Sequence, residues 1–329
     1  KRKYRIIIIR TDRIDDLLLS TPAIKAVREV YPNAHIAVMV RPYVEEIVDG
    51  NPYIDEVILC DKYSYIGLLR DVRILKRLIE FFANLIPVII LSWILRGKKF
   101  DLAIILHPTN RSNLIPFLAG IPERVGYDRK LGFLLTKRLK GTKHLGEKHE
   151  IDYNFDVLRA VGIVAKDRTL YMPIKAEYER VIDRFMALND IGSKDVIVAV
   201  HPGASCPSKR WPAYRFGRVA DELMDKYSVR IVIIGGPSDV KTVKEVGTGM
   251  LRSPMILSEE HSLGEVAALL RKCKLLISND SGPVHIAAAV GTPVVSIFGI
   301  RKDVGREECL DAITVEEVLS AAERVLKLT

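Results

Sequence analysis

The chain has 329 residues, a formal net charge of +9 and 48% hydrophobic residues. This length suits two domains of ordinary size, and the apolar content excludes a disordered protein because it can supply sizeable cores. The four cysteines are widely spaced, which excludes a zinc-binding cysteine cluster and favours reduced thiols in the cytoplasm.

The first predicted element is a buried strand over Ile6–Ile9, typical of the centre of a parallel sheet. Lys1-Arg2-Lys3 leads directly into it without a cleavable signal pattern, so we expect a cytoplasmic protein. Three carboxylates within five residues follow the strand: Asp12, Asp15 and Asp16. Because like charges this close repel, we expect a bound proton or a cationic partner such as Arg10 or Arg13. One carboxylate is a candidate general base, and the alternative is that they cap a helix predicted over Leu17–Arg28.

An apolar run over Leu78–Leu95, with cations on both sides, is near the lower length limit for a membrane span. Since Glu80 and Pro87 interrupt it, we expect an interfacial helix or helical hairpin that places Trp93 in lipid. The membrane-associating segment is predicted to cover residues 66–100. The alternative is an ordinary buried crossover helix.

Positive charge concentrates in Arg70–Lys99 and Asp128–Lys148, each with seven Lys or Arg against two acidic residues. A basic face suits an anionic acceptor or an anionic membrane surface. Neither stretch carries a recognised nucleic-acid-binding motif, so nucleic acid is not an expected partner.

Predicted strands and helices alternate along the chain, as βαβ units require, which predicts an α/β fold with parallel sheets. The predicted strands are Ile6–Ile9, His35–Val40, Glu56–Leu59, Leu102–Leu106, Arg124–Val125, Val196–Val200, Ile231–Ile234, Ile256–Leu257, Leu275–Ile277 and Val294–Phe298. A linker predicted at Val164–Lys175 divides the chain into domains 1–168 and 169–329.

In the second half, the strand Val196–Val200 runs into a loop of small residues followed by two cations. Lys209 or Arg210 could neutralise a diphosphate, and Ser205 could donate from the loop, since open α/β sheets bind ligands at this edge. The alternative is a basic turn with Trp211 as a packing anchor.

The strand Ile231–Ile234 ends in a glycine turn, with Asp239 just beyond. A carboxylate there can accept hydrogen bonds from a ribose diol, or it can cap the next helix. The Gly-x-Gly-x-x-Gly fingerprint follows none of the predicted strands, which argues against an NAD enzyme.

Residues with the chemistry of a phosphate site lie between a strand and an alanine-rich helix: Asp280, Ser281, Gly282, Pro283 and His285. A helix that begins there leaves its first N–H groups unpaired and, together with its dipole, forms an anion site. Gly282 permits close approach, Pro283 needs no donor in the first turn, and His285 can add one. The alternative is that Asp280 and Ser281 are only helix caps. Three such loops at one sheet edge predict a nucleotide-diphosphate domain.

These segments resemble the lipopolysaccharide heptosyltransferases, ADP-heptose-dependent members of glycosyltransferase family 9. The resemblance runs in order over nearly the whole chain through Arg10–Ile24, Arg124–Tyr127, His149–Asp152, His201–Ala204, Lys209–Pro212, Asp280–His285 and Gly291–Gly299.

The resemblance implies the GT-B architecture, with two Rossmann-like domains facing a central cleft. The acceptor is expected on domain 1–168 and the sugar nucleotide on domain 169–329. The transfer is expected to be inverting and metal-independent, with ADP-heptose as substrate and no cofactor. The family's functional positions match Asp16 as the catalytic aspartate, Lys209 as the phosphate-contacting lysine, and Asp280, Ser281, Gly282 and His285 as the phosphate turn.

One position departs from the family pattern, because Asp15 stands where the family usually has glycine. Its carboxylate could raise the pKa of Asp16, replace it as the base, or face solvent.

We therefore predict heptosyl transfer from ADP-heptose to an anionic glycolipid at the cytoplasmic face of the inner membrane. The predicted site comprises Asp16 and Asp15 as candidate bases, Arg10 and Arg13 on the acceptor side, and Lys209, Ser205, Asp239, Asp280, Ser281, Gly282 and His285 on the donor side. Two alternatives remain open: a GT-B enzyme that uses another sugar nucleotide, such as an epimerase, and a homologue that binds nucleotide sugars but is catalytically impaired.

Overall fold

The computed structural model describes residues 2–60, 73–257, 260–299 and 308–328. The chain divides into two compact units, Lys1–Tyr171 and Met172–Thr329, and this division falls inside the linker predicted at 164–175. The part of the predicted membrane segment that precedes residue 73 lies outside the described residues.

The first unit contains a parallel sheet of six strands in the order β3-β2-β1-β4-β5-β6. Its strands are β1 (Arg5–Ile9), β2 (His35–Val40), β3 (Glu56–Leu59), β4 (Leu102–Ile105), β5 (Glu123–Tyr127) and β6 (Lys137–Leu139). Its helices are α1 (Ile14–Leu18), α2 (Thr21–Val30), α3 (Arg73–Lys98), α4 (Asn110–Leu118) and α5 (Glu150–Arg159). Residues 6–9 of the central strand are at most 1% exposed because both faces of the sheet are covered, which explains their unbroken isoleucine sequence.

The helix predicted over Leu17–Arg28 is wrong as a single element, since the structure has α1 and α2 with a break between them. Pro22 has no N–H to donate to the carbonyl of Leu18, so an uninterrupted helix would leave that oxygen unpaired. The hydroxyl of Thr21 donates to it instead, at 2.7 Å, and fixes the break.

The strand β6 was not predicted. It pairs in parallel with β5 at the edge of the sheet, and its first two residues are exposed cations rather than apolar side chains. Cations on an edge strand discourage pairing with another chain, and they also remove the apolar pattern that identifies a strand.

The second unit contains a parallel sheet of five strands in the order β11-β10-β7-β8-β9. Its strands are β7 (Ile197–His201), β8 (Arg230–Ile234), β9 (Met255–Leu257), β10 (Leu275–Asn279) and β11 (Val294–Ile297). Its helices are α6 (Ala176–Leu188), α7 (Ala213–Tyr227), α8 (Val240–Thr248), α9 (Leu263–Lys272), α10 (Gly282–Val290), α11 (Glu308–Asp311) and α12 (Val315–Leu328). Trp211 is buried in its core and donates from Nε1 to the carbonyl of Ile313, so it is the packing anchor that one interpretation of the sequence gave.

Two parallel α/β sheets confirm the predicted class. In each sheet the strand order reverses direction at one point, between β1 and β4 in the first unit and between β7 and β10 in the second. Ligands of open α/β sheets bind in the crevice beyond the carboxyl ends of the strands at such a point. The loops after these four strands are therefore the places to look for a site.

The helix α3 presents two different faces. Val88, Ser92 and Leu95 are buried, whereas Ile89 and Trp93 are 52% and 76% exposed. Among the described residues, no helix is both long enough and apolar enough to cross a bilayer.

Candidate active site

Arg10 organises the loop after β1. Its side chain has no exposed surface, and Nη2 donates to Asp16 Oδ1 at 2.8 Å and to Glu150 Oε1 at 2.9 Å. Its Nε lies 2.9 Å from Asp12 Oδ1, and Nη1 donates to the carbonyl of Leu106 at the end of β4. Arg10 was predicted on the acceptor side. The structure buries it beneath the three carboxylates, so it can influence a ligand only by holding these side chains.

One guanidinium is thus shared by three carboxylates, which are 11% (Asp12), 27% (Asp16) and 12% (Glu150) exposed. Burial raises the pKa of Asp12 to about 7, because desolvation outweighs the attraction of Arg10 and the charge of Asp16 adds to the shift. The same carboxylates raise the pKa of Arg10, although its own burial acts in the opposite direction. Arg10 is therefore the cationic partner of this cluster, and the raised pKa of Asp12 favours a proton on that carboxylate below about pH 7.

Asp15 lies in the first turn of α1 and is half-buried. Its backbone is helical and its φ is negative, so the aspartate fits here without the left-handed conformation that would require glycine. Asp15 is not among the residues that line the neighbouring cavity, whereas Asp12 and Asp16 are. It remains a candidate base by prediction only.

The carboxylates open into a cavity of about 410 Å³ at the ends of β1, β4 and β5. Exposed Arg13 lines it together with Arg129, Lys130 and Lys143, and the acceptor-side role of Arg13 stays a prediction. A wall with both carboxylates and cations suits a polar, anionic ligand that carries a hydroxyl group.

Two residues of this cavity were not predicted as site residues. His107 follows β4, and burial, with help from Arg10, lowers its pKa to about 4, so it is a neutral imidazole at neutral pH. Glu150 begins α5 and binds Lys143 Nζ at 2.5 Å in addition to Arg10. Glu150 belongs to the segment His149–Asp152 of the family resemblance, but no local pattern predicts its contact with Arg10, 140 residues away.

In the second unit, Asn279 fixes the loops after β7 and β10. This fully buried residue donates from Nδ2 to the carbonyl of Pro202 at 2.8 Å, and its Oδ1 accepts from the backbone N–H of Trp211. Lys209 lies two residues before Trp211 in the same loop. Its side chain points to Asp280, with 2.5 Å between Nζ and Oδ2. The side chains are 35% and 29% exposed, so both remain accessible to a ligand.

The helix α10 begins as the sequence predicted, with its N-terminus available to an anion. Ser281 is the N-cap residue but its side chain accepts no capping hydrogen bond, and its hydroxyl donates to the carbonyl of Asn279 at 3.1 Å. Gly282 is the first helical residue, and His285 lies on the same first turn. Neither Asp280 nor Ser281 therefore acts as the side-chain cap of the alternative interpretation.

The remaining predicted donor-side residues have different surroundings. Ser205 is exposed on the loop, whereas Arg210 donates to the carbonyl of Ala204 at 3.0 Å and holds the loop. Asp239 is 7% exposed and accepts from the N–H of Gly236, and a methyl group on Gly203 would overlap with its carboxylate. Asp239 thus braces two loops, and its contact with a ribose remains a prediction. The described residues contain no group of His, Cys, Asp and Glu side chains arranged to hold a metal ion.

Comparison with known proteins identifies related sequences and folds. The model of glycosyltransferase family 9 (heptosyltransferase) matches residues 90–306. Lipopolysaccharide heptosyltransferase 2 of Escherichia coli is 24% identical over 311 residues, which cover 90% of this chain and 82% of that protein.

Two solved structures share the fold. The crystal structure of a glycosyl transferase family 9 protein from Veillonella parvula has a TM-score of 0.87 at 24% identity and covers 100% of this chain and 99% of that one. The structure of the E. coli ADP-heptose LPS heptosyltransferase II has a TM-score of 0.77 at 23% identity, with 98% and 99% covered. This similarity confirms the predicted GT-B fold class.

Proposed function

The chain belongs to glycosyltransferase family 9, and we propose that it transfers a heptose from ADP-heptose to a hydroxyl of an anionic lipopolysaccharide-core glycolipid. The sugar and the acceptor class are supported by relatives named as lipopolysaccharide heptosyltransferases. The donor is supported by the similar E. coli structure, which is described as an ADP-heptose enzyme.

The observation that carries the mechanism is the placement of Asp16. It is held by Arg10 and yet is the most exposed of the three carboxylates in the cavity. We propose that Asp16 takes the proton of the acceptor hydroxyl while that oxygen attacks the anomeric carbon of the heptose. The bond from this carbon to the phosphate oxygen breaks on the opposite face, its electron pair leaves with ADP, and the anomeric configuration inverts.

The leaving diphosphate gains negative charge in the transition state. Lys209 and the N-terminus of α10 are placed to stabilise it, with His285 on the first helical turn as a further donor. In this proposal fixed cations and N–H groups perform the role that a divalent ion has in other transferases.

Transfer assays with ADP-heptose and a heptose-deficient lipopolysaccharide acceptor test the base. Asp16→Asn should lower kcat by a factor of about 10² or more, as expected when a general base is lost. Asp15→Asn is the matched control and should keep a rate near that of the wild type. Full activity of Asp16→Asn would refute the assignment, and loss of activity in Asp15→Asn alone would transfer the role to Asp15.

We further propose that the first unit associates with an anionic membrane surface through the outer face of α3, which keeps the enzyme at the cytoplasmic side of the inner membrane. This outer face is apolar: Ile86, Ile89, Ile90, Trp93 and Ile94 are between 40% and 76% exposed. The end of the helix carries exposed Arg96, followed by exposed Lys99, as suits an interfacial helix beside anionic headgroups. The inner face is buried, so in this proposal α3 is both a crossover helix packed on the sheet and an interfacial helix.

Sedimentation with anionic liposomes tests this surface. The double variant Ile89→Ser, Trp93→Ser should bind at least about tenfold more weakly, because the two side chains together lose more than about 1.4 kcal/mol of apolar transfer free energy. Leu251→Ser is the control, since it removes an 89% exposed apolar residue from the other unit. Equal sedimentation of both variants with the wild type would exclude α3 as the membrane contact.

A further inference from the structure

Asp12 and Asp16 are held next to each other by one guanidinium group. Arg10 Nε lies 2.9 Å from Asp12 Oδ1, and Arg10 Nη2 donates to Asp16 Oδ1 at 2.8 Å. Because both nitrogens are bonded to the same carbon atom, the two carboxylates must be neighbours. Both residues also line the cavity at the ends of β1, β4 and β5. The two aspartates therefore form a carboxylate pair at the wall of the candidate active site.

The two members of this pair differ in how well the protein stabilises their negative charge. Within the described part of the chain, Asp12 Oδ1 accepts no hydrogen bond although Nε is near, whereas Asp16 Oδ1 accepts one from Nη2. The side chain of Asp12 is also less exposed, at 11% against 27% for Asp16. A buried carboxylate oxygen without a hydrogen bond is costly to keep ionised. Asp12 is therefore the member of the pair that is better suited to hold a proton.

Arg10 cannot turn to bind Asp12 better, because its other nitrogens are engaged. Nη1 donates to the carbonyl of Leu106 at 3.0 Å and to Asn154 Oδ1 at 3.3 Å, and Nη2 donates to Glu150 Oε1 as well as to Asp16. These partners come from the end of β4, from α5 and from α1. The unequal treatment of the two aspartates is therefore fixed by the packing of three elements around one buried side chain.

The surrounding titratable groups come from several elements. Lys143 pairs with Glu150 Oε2, and Tyr43, from the segment after β2, donates to the backbone carbonyl of Asp12 at 2.6 Å. Burial, with help from Arg10, lowers the pKa of His107 to about 4, so its imidazole adds no charge near neutral pH. The remaining charged groups around the cavity and Tyr43 are Arg13, Asp15, Arg41, Arg129 and Lys130. The contacts of Lys143 and Tyr43 therefore add no hydrogen bond to the Asp12 carboxylate.

We propose that Asp12 and Asp16 act as one base, in which Asp16 takes the proton of the acceptor hydroxyl and Asp12 receives it from Asp16 and holds it. This rests on the proposed function for the reaction itself. The O–H bond of the acceptor breaks as its oxygen bonds to the anomeric carbon, the proton moves along the pair, and Asp12 later releases it to water. A doubly ionised pair is a stronger base than one carboxylate, because protonation relieves the repulsion between the two charges. Asp12 acts through Asp16 and needs no contact with the acceptor.

The ionisation of Asp12 determines the expected pH profile. Desolvation raises the pKa of Asp12 to about 7 against the attraction of Arg10, and the charge of Asp16 and a hydrogen bond with its side chain add to the shift. Below this pH the pair already holds its proton and cannot act as the base proposed here. The transfer rate should therefore rise about tenfold between pH 6 and pH 8, as expected for one ionisation midway between them. Asp12→Asn cannot ionise, so it should lack this rise and be about tenfold slower than the wild type at pH 8.

Single-turnover transfer at pH 6, 7 and 8 tests this role. Asp152→Asn is the matched control, since Asp152 pairs with Arg168 and is not among the residues that line the cavity. Ionisation of the substrates affects all proteins alike, so the informative quantity is the rate of the wild type divided by that of the variant. For Asp12→Asn this ratio should be near 1 at pH 6 and about 10 at pH 8, and for Asp152→Asn it should stay constant. A constant ratio for Asp12→Asn, at any value, would overturn the proposal, because a purely structural role lowers the rate equally at every pH.

A second measurement needs no transfer and separates this proposal from the proposed function. In the full chain labelled with carbon-13 at the aspartate carboxyl groups, the resonance that is missing from Asp12→Asn should titrate with a midpoint near pH 7. Absence of any titration of this resonance between pH 6 and pH 8 would overturn the proposal. A titration in this range, in a protein that transfers no heptose, would support the carboxylate pair and count only against the proposed function.

Discussion

Asp12→Asn tests the balance of charge around Arg10. Arg10 and Lys143 supply two positive charges to three carboxylates, so the fully ionised cluster retains an excess negative charge. We expect Asp12 to take up the proton that neutralises this excess, because it is buried and its pKa is raised from 3.8 to about 7. Asparagine resembles the protonated carboxyl group in shape and polarity but cannot ionise.

The pH dependence of folding stability follows from the raised pKa of Asp12. A carboxyl group with a raised pKa in the folded state stabilises the fold below its unfolded pKa and loses that contribution as the pH rises towards about 7. The full shift of about three pKa units corresponds to an upper limit of about 4 kcal/mol. Relative to the wild type, Asp12→Asn should gain less than half of this limit at pH 5 and most of it at pH 8.

Urea unfolding of both proteins at pH 5, 6, 7 and 8 measures the effect. Any constant difference between Asn and protonated Asp cancels in the change with pH, so the slope is the informative quantity. The control is Glu177→Gln, which removes an exposed carboxylate from the other unit. A stability difference between Asp12→Asn and the wild type that stays flat from pH 5 to pH 8, or that falls with pH, would show that Asp12 does not hold the proton.

Two further predictions concern the second unit. Lys209→Ala should weaken ADP binding by about tenfold or more, as expected for the loss of a charge-assisted contact, when measured by calorimetry with UDP and GDP for comparison; unchanged affinity and turnover would contradict its phosphate role. Gly203→Ala should destabilise the fold by about 1–3 kcal/mol in urea unfolding, because its methyl group would overlap with the Asp239 carboxylate. Gly247→Ala is its control, since the nearest atom to a methyl group there is 3.6 Å away, and an equal loss in that variant would contradict the explanation.

Much of the fold was predictable because the chain follows simple rules. Parallel strands are rich in Ile, Val and Leu, and the predicted strands His35–Val40 and Glu56–Leu59 match β2 and β3 at both ends. The rule that ligands lie beyond the carboxyl ends of strands then selects the loops after β1, β7 and β10. The turn Asp280–His285 could be placed at a helix start for the same reason, since Gly282 and Pro283 are typical of one.

The contacts that complete the candidate site could not be predicted, because they depend on tertiary packing. Glu150 and Asn154 reach Arg10 from α5, which is distant in sequence. Asn279 looks like any polar residue at the end of a strand, and only the packed loops show that it holds Pro202 and Trp211. The spacing of apolar residues along α3 likewise does not show that both the buried and the exposed face of this helix are apolar.

The ion pair between Lys209 and Asp280 helps to explain why a carboxylate belongs to the turn that we propose to bind phosphate. Asp280 cannot neutralise a diphosphate, and its charge would repel one if it stood alone. It keeps the Lys209 ammonium group at the carboxyl ends of β7 and β10, near the start of α10. A diphosphate that takes over Lys209 exchanges one carboxylate for a group with more charge and more acceptor oxygens. If Lys209 binds the diphosphate as proposed, its net contribution to donor binding is the difference between these two partners and is smaller than that of an unpaired lysine. In that proposal the contact that the structure shows for Asp280 is the one that positions the cation.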